Sequence, residues 1–126
     1  MEDIWFKGKV CRGLQKGRTF GYPTANMSAV HPPFPCSSGV YAARVRVDLQ
    51  EYAAMLYVGT RPTLSMISPT VEIHLLDYAG DLYGMELAFM VVGKVREERR
   101  FSSEKELVSQ ISEDEKCIRQ MFSLEK

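Results

Sequence analysis

The sequence predicts a mainly β fold, a small closed antiparallel β-barrel followed by one C-terminal helix. Apolar and polar residues alternate over Gly39–Asp48 and again over Thr70–Asp77. This period of two is typical of a half-buried strand. After Ser103 the period changes to that of an amphipathic helix. Several short strands followed by one late helix favour a small antiparallel barrel.

The remaining strands are predicted from apolar segments and their breaks. An early strand is expected near Phe6–Arg12, and Met85–Val95 is apolar on both faces, as in a central strand. Glu51–Gly59 follows Gly39–Asp48 after a short polar break, which indicates a hairpin. Between the last two strands, Tyr78–Gly84 contains Gly80 and Asp81 and is interpreted as a loop.

The helix after residue 103 has a sequence signal at its start and one apolar face. Ser103 and Glu106 form the S-x-x-E pattern of a capping box. The apolar face comprises Leu107, Ile111, Ile118 and Phe122, with Val108 and Met121 beside it. We expect a helix of about 20 residues whose apolar stripe closes one side of the barrel.

Length and charge define one domain and argue against some partners. A chain of 126 residues fits a single domain over residues 1–126. Sixteen basic and sixteen acidic residues cancel, which argues against a dedicated nucleic-acid or membrane binder. Residues 1–47 nevertheless hold seven basic and two acidic residues. That local positive charge suits a polyphosphate ligand, and a chance asymmetry is the alternative.

The cysteines and the N-terminus indicate a cytoplasmic protein. Cys11, Cys36 and Cys117 are scattered, odd in number and without metal-ligand spacing, which favours a reducing compartment over a disulfide framework. The first residues, M-E-D-I-W-F-K, lack the pattern of a signal peptide. No run approaches the ~18 apolar residues of a membrane span.

The stretch Gly13–Asn26 combines groups that a Mg-nucleotide needs. Glycines let the backbone approach a ligand, cations attract phosphates, and neutral oxygens suit Mg²⁺. The residues concerned are Gly13, Lys16, Gly17, Arg18, Gly21, Pro23, Thr24 and Asn26. The stretch matches neither G-x-x-x-x-G-K-[ST] nor G-x-G-x-x-G, so a glycine-rich surface turn is the alternative interpretation.

Four motifs in one order resemble the riboflavin kinase family. The pattern G-x(3)-G-R-x-x-G-x-P-T-A-N of Gly13–Asn26 is very similar to that family's signature. It is followed by G-V-Y-A at Gly39–Ala42, V-E-I-H-L-L-D at Val71–Asp77 and V-R-E-E-R-R-F at Val95–Phe101. The resemblance covers residues 8–122. It implies a six-stranded barrel with a C-terminal helix, and transfer of phosphate from Mg-ATP to riboflavin, giving FMN and ADP.

The resemblance also implies roles for individual residues. Glu72 corresponds to the family's base, which activates the 5′-hydroxyl of riboflavin; its alternative role is that of a solvated or cross-strand paired carboxylate. Thr24 and Asn26 correspond to the Mg²⁺ ligands; otherwise they make local turns. The nucleotide-binding residues implied are Gly13, Gly17, Arg18, Gly21, Pro23, Thr24, Asn26, Leu75, Asp77 and Tyr83.

A later segment matches the family's flavin-contacting pattern R-x-E-x-x-F. Its residues are Arg96, Glu98, Arg99 and Phe101. An aromatic ring and a guanidinium can cover a planar isoalloxazine by stacking. A charged linker into the helix is the alternative. The run Gly59–Leu64 is expected to form a turn and lid, His74 to pack, and His31 to lie in a loop.

Three alternatives to a riboflavin kinase stay open at this stage. The chain could be a flavin- or nucleotide-binding barrel without turnover, or, with weaker support, a small nucleic-acid-binding barrel. It could also be the excised kinase module of a bifunctional FAD synthetase. The proline- and cysteine-containing segment His31–Ser38 departs from the family pattern, so the loop facing the flavin is expected to differ. We expect a monomer whose partners are riboflavin and ATP, with neither nucleic acid nor membrane.

Overall fold

The barrel and its helix are confirmed. The computed structural model describes residues 4–11, 24–34, 37–62, 67–78 and 80–123. The strands are β1 (Phe6–Cys11), β2 (Ala25–His31), β3 (Gly39–Val47), β4 (Gln50–Pro62), β5 (Ile67–Leu75) and β6 (Glu86–Arg96). The helix that follows them is α1 (Glu104–Ser123). All neighbouring strands are antiparallel, and they close in the order β1-β2-β5-β4-β3-β6.

Alternating side chains of the strands fill the interior of the barrel. Ile73 lies opposite Leu56, and Leu56 lies opposite Tyr41, so one interior row crosses β5, β4 and β3. These three side chains are buried in one cluster together with Phe6 and Phe89 of the strands that complete the barrel. The half-buried strands predicted over 39–48 and 70–77 are therefore confirmed.

The hairpin between β3 and β4 is also confirmed. Val47 lies opposite Gln50, which leaves Asp48 and Leu49 as the two turn residues. Asp48 has a φ of 55°. Short two-residue hairpin turns need positive φ, and aspartate tolerates it better than most residues do. The polar break in the sequence is therefore the turn itself.

Strand β2 is the element that the sequence patterns did not predict. Because His31 belongs to this strand, its interpretation as a loop residue is wrong. His31 is the last residue of β2 and lies opposite Lys7 of β1. Met27 is the large side chain that this strand buries in the core, whereas Asn26 is only half-buried. Because the strand contributes so little apolar alternation, its pairing with β1 and β5 determines it rather than its own pattern.

Helix α1 begins where the capping pattern predicted. The Glu106 N–H donates to Ser103 Oγ at 3.2 Å, and Glu106 Oε2 accepts from the Ser102 N–H at 3.2 Å. The glutamate thus returns to the residue before the cap, and the hydrogen bonds from the Ser102 side chain and backbone lower the pKa of its carboxyl. Such contacts satisfy amide groups that the first turn cannot pair internally.

The helix packs on the outside of the barrel wall. Ile111 and Ile118 are buried against outward-facing side chains of β3 and β4, namely Val40, Ala42 and Met55. The predicted apolar stripe is therefore confirmed, and it covers part of the barrel's outer face. Within the described residues, no helix combines the length and the apolar character that a membrane span needs.

We expect Gly39→Ala to destabilise the barrel more than Gly84→Ala. Gly39 has a φ of 149°, and a Cβ there would lie 2.6 Å from the Arg96 carbonyl oxygen. Gly84 also has a positive φ, 82°, but a Cβ there meets nothing within 4 Å. Strain alone should cost Gly84→Ala about 1 kcal/mol, whereas strain and overlap together should cost Gly39→Ala about 3 kcal/mol. Urea unfolding measures both, and equal losses would contradict the proposed overlap.

Candidate active site

Several of the predicted site residues lie in one row across the outer face of the barrel. Asn26 lies opposite Glu72, Glu72 opposite Tyr57, Tyr57 opposite Val40, and Val40 opposite Arg96. Residues directly opposite each other in antiparallel strands project to the same face. The register therefore places the predicted base between a predicted metal ligand and the start of the predicted flavin segment.

A cleft of about 360 Å³ lies over the middle of this row. That volume is within the usual range for small-molecule sites. Glu72 lies in its wall, and the described residues of the predicted flavin segment form another part. The lining residues are Gly39, Val40, Tyr57, Val58, Gly59, Thr70, Glu72, Arg96, Glu98, Arg99, Phe101 and Leu107. The structure thus brings all four predicted flavin contacts together with the predicted base.

Phe101 lies close to both arginines of the flavin segment. The Cζ atom of Arg96 is 5.6 Å from the centroid of the Phe101 ring, and that of Arg99 is 5.2 Å from it. Guanidinium groups within about 6 Å of a ring centroid are attracted to the ring. The two cations and the ring therefore form one compact group beside the cleft.

A buried aspartate of α1, which the sequence analysis did not single out, pairs with Arg96. Arg96 Nε donates to both carboxylate oxygens of Asp114, at 3.0 and 2.9 Å. The Asp114 side chain is only 2% exposed. A signal was present in the sequence, because residue 114 follows Ile111 by three positions and precedes Ile118 by four. That spacing places a carboxylate within the apolar stripe.

Glu72 is linked to a second cavity by one hydrogen bond. Thr24 Oγ1 donates to Glu72 Oε1 at 3.2 Å. Thr24 belongs to a smaller cavity of about 90 Å³ at one end of the barrel. The lining residues of that cavity are Val10, Cys11, Thr24, Ala25, Ile73, His74, Leu75, Tyr78, Gly80, Asp81, Leu82 and Tyr83. It therefore contains three of the predicted nucleotide contacts, namely Thr24, Leu75 and Tyr83.

Asp77, another predicted nucleotide contact, does not line that cavity. Its carboxylate accepts two hydrogen bonds from Arg119 of α1, at 2.9 and 3.0 Å. The hydrogen bonds from Arg119 and its positive charge lower the pKa of Asp77, and the hydrogen bonds with Asp77 and Glu115 raise the pKa of Arg119. The structure therefore separates Asp77 from Leu75 and Tyr83 and ties it to the helix.

The remaining predicted nucleotide contacts lie outside the described residues. They are Gly13, Gly17, Arg18, Gly21 and Pro23. The prediction of a turn and lid over Gly59–Leu64 is wrong for residues 59–62, because these residues lie in β4 and pair with β5. Residues 63 and 64 lie outside the described residues. His74 lies on the outer face opposite Met55 and borders the smaller cavity.

The predicted metal ligands fit a Mg²⁺ ion that is bound mainly through phosphates. The Asn26 Nδ2 atom is buried and has no hydrogen-bond partner among the described residues. A buried amide without a partner is costly, and the two ends of an amide exchange by a simple flip. After such a flip the amide oxygen would take the place of Nδ2, so a ligand beside Asn26 and Thr24 would satisfy a group that the described residues leave unpaired. Among the described residues, no cluster of three or more His, Cys, Asp or Glu could hold a metal.

The fold and the site define a small barrel in which one hydrogen bond, from Thr24 to Glu72, joins two cavities. A family model described as flavokinase, or riboflavin kinase, matches residues 1–122. The chain therefore belongs to the riboflavin kinase family, as the four motifs predicted.

The relatives include a longer enzyme with two activities in its name. The chain is 41% identical over 120 residues to the bifunctional riboflavin kinase/FMN adenylyltransferase of Escherichia coli (strain K12). The match covers 94% of this chain and 38% of that protein. The chain thus spans about two fifths of the length of this curated relative.

Two solved structures are similar to the barrel. A crystal structure of riboflavin kinase from Trypanosoma brucei is 24% identical with a TM-score of 0.71, and the match covers 98% of this chain and 82% of that one. It supports the fold. A structure described as a macrolide-efflux protein from Streptococcus pneumoniae is 31% identical with a TM-score of 0.86. That match covers 93% of this chain but only 38% of the other, so the description refers to a much longer chain.

Proposed function

We propose that this chain is an ATP-dependent riboflavin kinase, which transfers the terminal phosphoryl group of Mg-ATP to the riboflavin 5′-hydroxyl and yields FMN and ADP. One observation carries the proposal beyond family membership. The hydrogen bond between Thr24 and Glu72 joins the cleft with the predicted flavin contacts to the cavity with predicted nucleotide contacts. A carboxylate at that junction lies where an acceptor hydroxyl and a phosphoryl donor would meet.

The larger cleft is the proposed riboflavin site. It is lined by the buried Val40, by the half-buried Tyr57 and Phe101, and by the exposed Glu98 and Arg99. An aromatic ring beside guanidinium groups is suited to a flat conjugated ring, because both can stack on it. Exposed charges at the rim can bind the polar edge of the isoalloxazine or the hydroxyls of the ribityl chain.

The smaller cavity is the proposed nucleotide site, with Thr24 and Asn26 holding Mg²⁺. Both side chains are neutral, so they do not compete with the phosphates for the charge of the ion. A bound Mg²⁺ would neutralise charge on the phosphates, as in other kinases. The volume of this cavity among the described residues suits part of a nucleotide, and the glycine stretch before Thr24 is the proposed remainder of the site.

Glu72 is the proposed general base. Thr24 fixes one carboxylate oxygen, and the carboxylate then accepts the proton of the riboflavin 5′-hydroxyl as the hydroxyl oxygen attacks the terminal phosphorus. The bond between that phosphorus and the bridging oxygen of ADP breaks. Phosphoryl transfer depends mostly on position and charge neutralisation, so a base of ordinary strength is sufficient.

The setting of the proposed enzyme is the cytoplasm, with riboflavin and ATP as its small-molecule partners. Cys11 and Cys117 are both free thiols, which supports a reducing compartment. A monomer that binds no nucleic acid stays a prediction, and size-exclusion chromatography with light scattering measures the oligomeric state.

The proposed activity is tested by incubating the protein with riboflavin, ATP and Mg²⁺ and separating the flavins by chromatography. We expect FMN to accumulate with an equal amount of ADP, and chelation of Mg²⁺ to stop both. Riboflavin binding without FMN would favour the non-catalytic binder. An unchanged rate after chelation would remove the metal role from Thr24 and Asn26.

Glu72→Gln should lower kcat by about 10²- to 10⁴-fold, the usual contribution of a general base. The amide keeps the shape of the side chain and an oxygen that can accept the Thr24 hydrogen bond, so both substrate affinities should change only a few-fold. Glu86→Gln is the matched control, because Glu86 is an exposed strand glutamate that lines neither cavity. Wild-type kcat in Glu72→Gln would end the assignment of this residue as the base.

Phe101→Ala should raise the KM for riboflavin by about tenfold or more, since a stacked ring contributes roughly 1–3 kcal/mol in comparable base-stacking sites. The KM for ATP should change much less. Phe122→Ala removes the same ring from α1 where it packs outside the cleft, and both KM values should stay near wild type. Equal increases in both KM values for Phe101→Ala would show that the ring is a structural element only.

A further inference from the structure

We propose that Gln110 and Asp114 of α1 are positioning residues, which hold the flavin segment of residues 96–101 in the shape that the cleft requires. The identity of the ligand rests on the proposed riboflavin kinase function. Neither residue lines the cleft, so each acts through the arginines that do.

The contact of Asp114 with Arg96 has the geometry of a positioning contact. Both oxygens of the carboxylate are used by one donor atom, Arg96 Nε, and the Arg96 side chain is itself only 17% exposed. A buried ion pair is often no more stabilising than a well-packed apolar pair. What this pair adds is position, because the buried carboxylate holds Arg96 Nε at one place on the helix while Arg96 NH1 donates to the Glu97 carbonyl oxygen.

Gln110 extends this contact to the second arginine. Its Nε2 atom donates to Asp114 Oδ1 at 3.0 Å, and its Oε1 atom accepts from Arg99 NH1 at 2.7 Å. The amide therefore has its donor towards the carboxylate and its acceptor towards the guanidinium, which is the one orientation that satisfies both neighbours. A single side chain of the helix thus links both arginines of the flavin segment.

Arg96 is directed inwards by these partners, whereas its neighbours are exposed. Besides Asp114, Arg96 donates through NH1 to the Glu97 carbonyl oxygen at 3.2 Å. Glu98 and Arg99 are exposed, and Phe101 is half-buried beside the two guanidinium groups. The helix therefore fixes Arg96 as an internal support, and Arg99 and Phe101 are presented to the ligand.

The first test compares Gln110→Ala with wild type. Alanine is favourable in a helix and Gln110 is not fully buried, so the variant should fold. We expect the Kd for riboflavin, measured by quenching of flavin fluorescence, to rise about three- to tenfold, which corresponds to the loss of roughly one hydrogen bond. The affinity for Mg-ATP should stay within about twofold of wild type.

Glu113→Gln is the matched control for Asp114→Asn, the second variant of this test. It removes a side-chain carboxylate from the same helix, and Glu113 is exposed and pairs with Lys116. Its riboflavin and Mg-ATP affinities should both equal those of wild type. Asp114→Asn should weaken riboflavin binding at least as much as Gln110→Ala in the fraction that remains folded.

The possible outcomes distinguish a positioning role of Gln110 and Asp114 from a role in stability alone. They also distinguish failure of this proposal from failure of the proposed kinase activity. Riboflavin affinity equal to wild type in folded Gln110→Ala and Asp114→Asn would overturn the positioning role. Parallel losses of riboflavin and Mg-ATP affinity would do the same, because a structural defect affects both sites. If wild type binds riboflavin but forms no FMN, the kinase proposal fails while weaker binding by Gln110→Ala still supports positioning. If wild type does not bind riboflavin, both proposals are overturned.

Discussion

The register between β2, β5 and β4 is the constraint on which the candidate site depends. Val71 and Ile73 are buried in the barrel interior, and because side chains alternate along a strand, Glu72 must lie on the outer face. A slip of one residue would exchange these faces and place the carboxylate in the core. Burying an unpaired carboxylate is strongly unfavourable, so the apolar core that stabilises the barrel also fixes the position of the proposed base.

Helix α1 both packs against the barrel and orients the flavin segment, and the residues for these two roles alternate along its sequence. Ile111 and Ile118 pack against the barrel wall, and Asp114 between them pairs with Arg96 at the end of β6. The apolar contacts attach the helix, and the charged contact determines where the chain goes as it leaves the sheet. One wall of the cleft beside Glu72 is therefore formed by strands. The other wall is the flavin segment of residues 96–101, and its shape depends on how α1 packs against the barrel.

The parts of the fold that could be predicted from sequence are those in which the apolar residues of the pattern are also the residues buried in the structure. The hairpin of β3 and β4 follows from alternation and a polar break, and α1 follows from its cap and stripe. Strand β2 could not be predicted in this way, because it contributes mainly Met27 to the core and is determined by its pairing with β1 and β5. Among site residues, Glu72 could be named only through the family motif. Asp114 could be suspected from its place within the stripe, but its partner Arg96 is 18 residues away and required the fold.

Electrostatics favours an enzyme over a passive binder at this junction. A carboxylate repels the phosphates of a nucleotide unless a cation lies between them, so a site that only held Mg-ATP would need this charge only as a ligand of the metal. Glu72 nevertheless lies one hydrogen bond from Thr24, the proposed metal ligand, and in the wall of the proposed flavin cleft. The same charge becomes useful when a hydroxyl must lose its proton as the phosphoryl group is transferred. The proposed kinase therefore gives this carboxylate a function, acceptance of the proton, that a passive binder does not require.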